Sequence, residues 1–323
     1  MTPKTKLALT CAVAALLTLA AGCSGDGSGT EDRGLARPLV TQYVGIFNDG
    51  KQDNFGPCLD LNPPYALWSI TFIAFVHTFE RNGLYVADYE NARGLDARGE
   101  QIPPSPGDTD RDRIRRLVEA ARAVNPSMRF VISLGWGRGD FPNGARNPVE
   151  FAASVGRIVE ENGLDGFDVD FEFDSIDEES FREVSRALRA ELDARSAAMA
   201  KPLLLTITPA EIEGIDFAAV DAFYDLVQMQ SYDAAGDGSF APTNVVGQGV
   251  ASEKILFGRD IEGGDTLAAT RYEIADVVSY VRDNGLGGLM GWRVNSASQM
   301  SGPDRFGGVE LLGHAFDATA AMP

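Results

Sequence analysis

The stretch DGFDVDFEF, residues 165–173, decides how the rest of the chain is read. In it Asp168, Asp170 and Glu172 alternate with Phe167, Val169, Phe171 and Phe173. A period of two marks a β-strand, whose successive side chains point to opposite faces. One face is therefore wholly apolar and the other acidic. A strand at the surface accommodates this pattern by leaving the acids in water. A strand in the wall of a barrel accommodates it differently, with the apolar face against an outer ring of helices and the acids in the lumen. Burying unpaired carboxylates costs several kcal/mol each, so the second arrangement points to chemistry rather than to packing.

The flanking sequence favours the barrel. Apolar, strand-like runs recur at 42–49, 69–79, 129–137, 164–172, 202–210, 225–233, 254–263 and 285–295. They are rich in Val, Ile, Leu and Phe, as strands covered on both faces are. Amphipathic segments separate several of them. In 109–125, Ile114, Leu117, Val118, Ala121 and Val124 share one helical face. Residues 147–163 open with Asn147 as N-cap and Pro148 in the first turn, and stop at Gly163. In 179–192, Phe181, Val184, Leu188 and Leu192 share a face, and 270–285 opens with a capping-box pattern at Thr270 and Glu273. The segments after the first and sixth strands are irregular. Eight strands alternating with helices predict an α/β fold, a (β/α)8 TIM barrel in one domain. An open doubly wound sheet is the alternative, and no Gly-rich phosphate fingerprint follows any strand to support it.

Composition narrows the partners. The 323 residues carry 28 basic and 47 acidic side chains, a net charge of −19. Such a surface repels phosphate backbones, which speaks against nucleic acid and admits a neutral or cationic ligand. Residues 1–22 combine a basic start (Lys4, Lys6) with an apolar run from Leu7 to Ala21, too short for a comfortable membrane span, and read as an export signal. The small residues before Cys23 resemble the bacterial lipobox, which implies cleavage there and lipidation of Cys23; soluble secretion is the alternative. The small polar residues 23–37 form a flexible tether, and 38–323 the folded domain. The expected location is the bacterial cell surface, with the membrane as a partner through the lipid. Neither His77 nor His314 has neighbours with metal-ligand spacing, so no metal and no cofactor are expected.

Residues 165–172 also match, position for position, the D-G-x-D-x-D-x-E signature of glycoside hydrolase family 18, the chitinases and endo-β-N-acetylglucosaminidases. Further motifs resemble that family in place. VISLGWG carries Ser133 and Gly135 with Trp136 in place of a second glycine, QMQSYD carries Gln230, Tyr232 and Asp233, and GGLMGW ends in Trp292. The resemblance implies hydrolysis of N-acetylglucosamine polysaccharides or of the chitobiose core of N-glycans. Glu172, nearest the mouth, is then the general acid, and neighbouring acids raise its proton affinity. The substrate's own 2-acetamido oxygen is the nucleophile, and Asp170 orients the acetamido N–H. Asp168, deeper in the lumen, shares a proton with Asp170. Tyr232 donates its hydroxyl to the acetamido oxygen and Trp292 lies beneath the sugar. Asp233 and Gln230 are candidates for hydrogen bonds to sugar or acids, Trp136 for contact with neighbouring sugars, and Phe75 for a pocket wall or plain core. Asp165 is expected to support the turn. About twenty residues join the last two strands, room for one helix, so no α+β insertion deepens the cleft, which suits endo action. A barrel that binds N-acetylglucosamine without cleaving it is the rival reading.

Overall fold

The computed structural model describes residues 34–317 apart from 49–52, 95, 137–138, 173–174, 233–240, 263–266, 297–299 and 302–304. Among them the strands run β1 (Leu39–Gly45), β2 (Ile70–Arg81), β3 (Leu84–Asp88), β4 (Arg129–Gly135), β5 (Gly166–Phe171), β6 (Leu204–Pro209), β7 (Leu226–Met229), β8 (Ile255–Asp260) and β9 (Gly288–Trp292). All pairings but that of β3 are parallel. Because β1 pairs with both β2 and β9, eight strands close into a barrel, with β3 left as an antiparallel flap on β2. The α-helices are α1 (Phe55–Asp60), α2 (Asp110–Val124), α3 (Asp140–Ala145), α4 (Pro148–Glu161), α5 (Glu178–Met199), α6 (Phe217–Phe223), α7 (Pro242–Gly247), α8 (Leu267–Asp283) and α9 (Gly307–Gly313). The (β/α)8 barrel expected from sequence is the fold, and α8 is the one helix that joins β8 to β9 among the described residues.

Closure divides the core in two. The larger part lies between the strands and the helices and takes Phe167, Val169 and Phe171 from β5. There Phe151 of α4 meets Phe167 edge to face at 6.3 Å, and Phe181 of α5 meets Phe171 at 6.0 Å. Each such buried side chain contributes about 1.5–3 kcal/mol. The smaller part fills the lower lumen with Leu39, Ile70, Val131, Leu204, Leu226 and Leu256.

Local chemistry sets most element ends. Thr109 caps α2 through Asp112, whose carboxylate returns the contact to the Thr109 N–H. Asp177 caps α5 by accepting from the Ser180 N–H at 2.9 Å. Asn147 stands at the start of α4, yet its side chain makes no cap bond. It pairs instead with β3, accepting from the Tyr85 N–H and donating to the Tyr85 carbonyl, both at 2.8 Å. An edge strand leaves such groups unpaired, and this amide satisfies one pair of them. The helix α8 begins at Leu267, so Thr270 falls within it and does not cap it.

Two differences from the sequence reading concern the mouth. The first strand lies at Leu39–Gly45 rather than 42–49. All seven of its residues are buried, so apolar and polar positions do not alternate visibly with exposure. The β2–β3 hairpin was not anticipated. Its turn is Asn82–Gly83, both with positive φ (55° and 81°), the conformation that Asn-Gly favours in two-residue hairpins.

Candidate active site

The acids of β5 occupy the lumen. Asp168 is fully buried, Asp170 nearly so, and Glu172 follows at the strand's end. Asp168 faces a ring of hydroxyls: Ser133 of β4 donates at 2.7 Å, Thr206 of β6 at 2.6 Å and Tyr43 of β1 at 2.8 Å. Thr208 adds a longer contact at 3.1 Å and receives in turn from the Gln228 amide at 3.0 Å. Register explains the ring, since Ser133, Asp168 and Thr206 are direct neighbours across β4, β5 and β6. Burial raises the affinity of Asp168 for a proton, and the hydroxyl donors offset that only in part. The phenol of Tyr43 is held neutral by its own burial and by the charges of Asp168 and Asp170.

One side chain joins the two outer acids. The Gln230 amide nitrogen lies 2.8 Å from Asp170 Oδ1 and 2.6 Å from Glu172 Oε1. An amide NH2 has two hydrogens, so it donates one to each carboxylate and fixes their spacing. Close pairing of β4 with β5 beside Asp170 depends on Gly135, whose φ is 145°. A Cβ there would stand 2.3 Å from the Asp170 carbonyl, so only glycine fits.

A pocket of about 100 Å3 opens above the acids, lined by Tyr43, Trp136, Asp170, Glu172, Thr208, Gln230, Tyr232 and Trp292. Of the residues singled out from sequence, Asp170, Glu172, Tyr232, Trp292, Gln230 and Trp136 therefore meet in one place. Asp168 sits one step below them, hydrogen-bonded to the Tyr43 and Thr208 that line the pocket. Phe75 does not line it; its ring stacks 5.9 Å from Trp292 and faces a neighbouring cavity. Asp233 and Cys23 lie outside the described residues. Asp165 supports the strand's start, as expected: it accepts from the Phe130 N–H at 2.9 Å and pairs with Arg122 and Lys201. Sequence reasoning missed Tyr43, Thr206, Thr208 and Gln228. The alternation of Thr206, Ile207 and Thr208, beside a strand of alternating acids, is the signal that offered two of them.

A closed parallel barrel with interlinked acids rising to the C-terminal mouth of its strands is the form in which barrel enzymes keep their chemistry. The comparison with known sequences makes the class specific: the family model "Glycosyl hydrolases family 18" matches residues 40–254. The chain belongs to that family. Chitinase 1 of Aphanocladium album is 26% identical over 252 residues, which cover 73% of this chain and 57% of that protein. The chain thus spans little more than half of that relative's length. Among solved structures, a family 18 N-acetylglucosaminidase from Paenibacillus barengoltzii superposes with a TM-score of 0.59 at 18% identity, covering 86% of this chain and 99% of the other. The chitinase-like agglutinin of Robinia pseudoacacia gives 0.60 at 16% identity, covering 85% and 98%. Both share the barrel.

Proposed function

We propose that this chain is a glycosidase that cleaves β-1,4-linked N-acetylglucosamine glycans, with retention of configuration and with the substrate's acetamido group as nucleophile. The observation that carries the reading is the Gln230 amide held between Asp170 and Glu172 at 2.8 and 2.6 Å. It sets two carboxylates at one small pocket, as an acid and an acetamido-orienting group require. Glu172 protonates the glycosidic oxygen as that bond breaks, and the acetamido oxygen closes on the anomeric carbon. Asp170 takes the acetamido N–H and stabilises the positive oxazolinium ring. Glu172, now ionised, removes a proton from the incoming water, which opens the ring and restores the acid. The raised proton affinity of Asp168 suits a proton stored beneath Asp170. Tyr232 and Trp292 line the pocket, the first as donor to the acetamido oxygen and the second as the sugar's floor.

Chitin-type oligomers are the favoured substrate, in keeping with the name of the Aphanocladium relative. N-glycan cores are the second choice. Parallel incubation with chitin oligomers and a high-mannose glycoprotein, read by mass spectrometry, separates the two. A thiazoline analogue of the oxazolinium ring is expected to inhibit, and turnover insensitive to it overturns substrate assistance. Binding without turnover moves the chain to the lectin reading, on a barrel that the Robinia agglutinin shares. Export and lipidation at Cys23 belong to the same proposal, on the strength of the leader sequence. Cys23→Ser is expected to release the protein from the membrane fraction, and retention there overturns the anchor.

A further inference from the structure

Gln228 of β7 has no part in the mechanism above, yet it is completely buried in the lumen with both ends of its amide bonded. We propose that Gln228 is a positioning residue for the acids of β5: its amide turns a chain of hydroxyls so that their hydrogens point towards Asp168. The inference rests on the hydrolase reading and adds to it a residue that acts on the acids from two strands away.

The direction of the chain follows from its donors. Thr41 of β1 gives its hydrogen to Gln228 Oε1 at 2.9 Å, with the Leu289 carbonyl farther off at 3.4 Å. The amide nitrogen then faces Thr208 Oγ1 at 3.0 Å and the Tyr43 oxygen at 3.4 Å. Tyr43 has one hydrogen and gives it to Asp168 Oδ2 at 2.8 Å. In the 2.7 Å contact between Tyr43 and Thr208, Thr208 is therefore the donor. The shortest bonds thus run one way, from Thr41 through Gln228, Thr208 and Tyr43 to Asp168. A hydroxyl can donate to either side, whereas an amide has one donating and one accepting end. Gln228 is the member that fixes the sense of the chain.

Hydrogen bonds in series polarise one another towards the carboxylate at their end. Ser133 and Thr206 donate to Asp168 directly, at 2.7 and 2.6 Å, and do not depend on Gln228. Removing the amide releases a lone pair of Thr208. Tyr43 can then turn its hydrogen to Thr208, and Asp168 receives in exchange only the contacts from Thr208 at 3.1 and 3.3 Å. The charged form loses a short bond, so the proton is held more tightly. All members of the chain are buried, and no solvent donor replaces the lost one. The other titratable groups near Asp168 are Asp170 and Glu172 on its own strand and Tyr224 behind the sheet, a phenol 2.9 Å from the Ser185 hydroxyl. The strands β2, β8 and β9 bring Phe72, Leu256 and Met290 to the lumen. A change at Asp168 reaches the reacting bond through Asp170, which Gln230 joins to Glu172.

Gln228→Met keeps the length of the side chain and removes the amide. In that variant the Asp168 carboxyl, followed by 13C NMR and assigned with Asp168→Asn, is expected to hold its proton about tenfold more tightly, the order of one hydrogen bond to a charged group. The alkaline limb of the kcat/KM profile for N-acetylglucosamine oligomers is expected to move to higher pH with it, because the proton beneath Asp170 leaves later. Thr41→Val frees the amide to turn over and is expected to move both in the same direction by less; it decides the matter if Gln228→Met does not fold. Leu226→Ala, in the apolar floor of the same strand, is expected to lower stability and leave both where the wild type has them. Wild-type titration of the carboxyl in Gln228→Met and Thr41→Val overturns the proposal. Equal movement in Leu226→Ala, or a moved carboxyl with an unmoved rate profile, overturns it as well. A moved carboxyl in a protein that cleaves no oligomer keeps the hydrogen-bond chain and sinks the hydrolase reading.

Discussion

The floor and the mouth of the lumen are made by the same strands, two residues apart at each step. At the floor stand Leu39, Val131, Leu204 and Leu226, all in one apolar cluster. One step up the same strands carry Thr41, Ser133, Thr206 and Gln228, and these surround or connect to Asp168. The next step brings Tyr43, Gly135, Thr208 and Gln230, beside Asp170. The lower layer is an ordinary barrel interior, held by burial of aliphatic groups. The upper layers exchange that packing for hydrogen bonds to carboxylates. The contrast shows that a barrel can carry an acidic lumen when every acid meets donors from neighbouring strands and the floor below stays dry.

Glu172→Gln tests the upper layer hardest. Turnover of N-acetylglucosamine oligomers is expected to fall by about 10^2–10^4-fold, the contribution of a positioned proton donor, with the melting transition retained. Wild-type turnover in that variant removes Glu172 from the role of acid. The floor answers differently. Leu204 is completely buried there, and Leu204→Ala is expected to cost about 2–5 kcal/mol of stability while the folded fraction keeps its rate. A loss of rate without loss of stability breaks the division between the layers. The smallest effect belongs to Asp168, where the layers meet. Its folded proton affinity lies above the ordinary value of 3.8, so the folded state binds more protons than the unfolded as pH rises past that value. Stability from this group is therefore full below 3.8 and is lost as pH climbs through the folded pKa. Asp168→Asn removes that loss, and its stability relative to wild type is expected to improve as pH rises above 3.8. Denaturant titrations that keep a constant separation across this range contradict the buried proton.

Much of this was legible in the chain itself. The period-two run at 165–173 predicts a strand with an acidic face, and the helical repeats between apolar runs predict the barrel that turns this face inward. Trp292, Tyr232 and Gln230 were placed at strand ends by the resemblance of their motifs to the family's. The early position of β1 was not legible, because Leu39 to Gly45 are buried on both faces and exposure leaves no alternation to read. The β3 flap was legible in principle from Asn82–Gly83.

Local pattern is set by neighbours in the chain, so the sequence by itself determined which faces are apolar and which residues can carry charge. Which of them meet was decided by closure. Tyr43 and Asp168 are 125 residues apart and bond at 2.8 Å; Gln230 reaches two acids some sixty positions away. Such pairs depend on the stagger of eight strands around a ring, a quantity fixed by the whole sheet at once. No single strand contains it, which is why the acids could be found by reading and their partners only by folding.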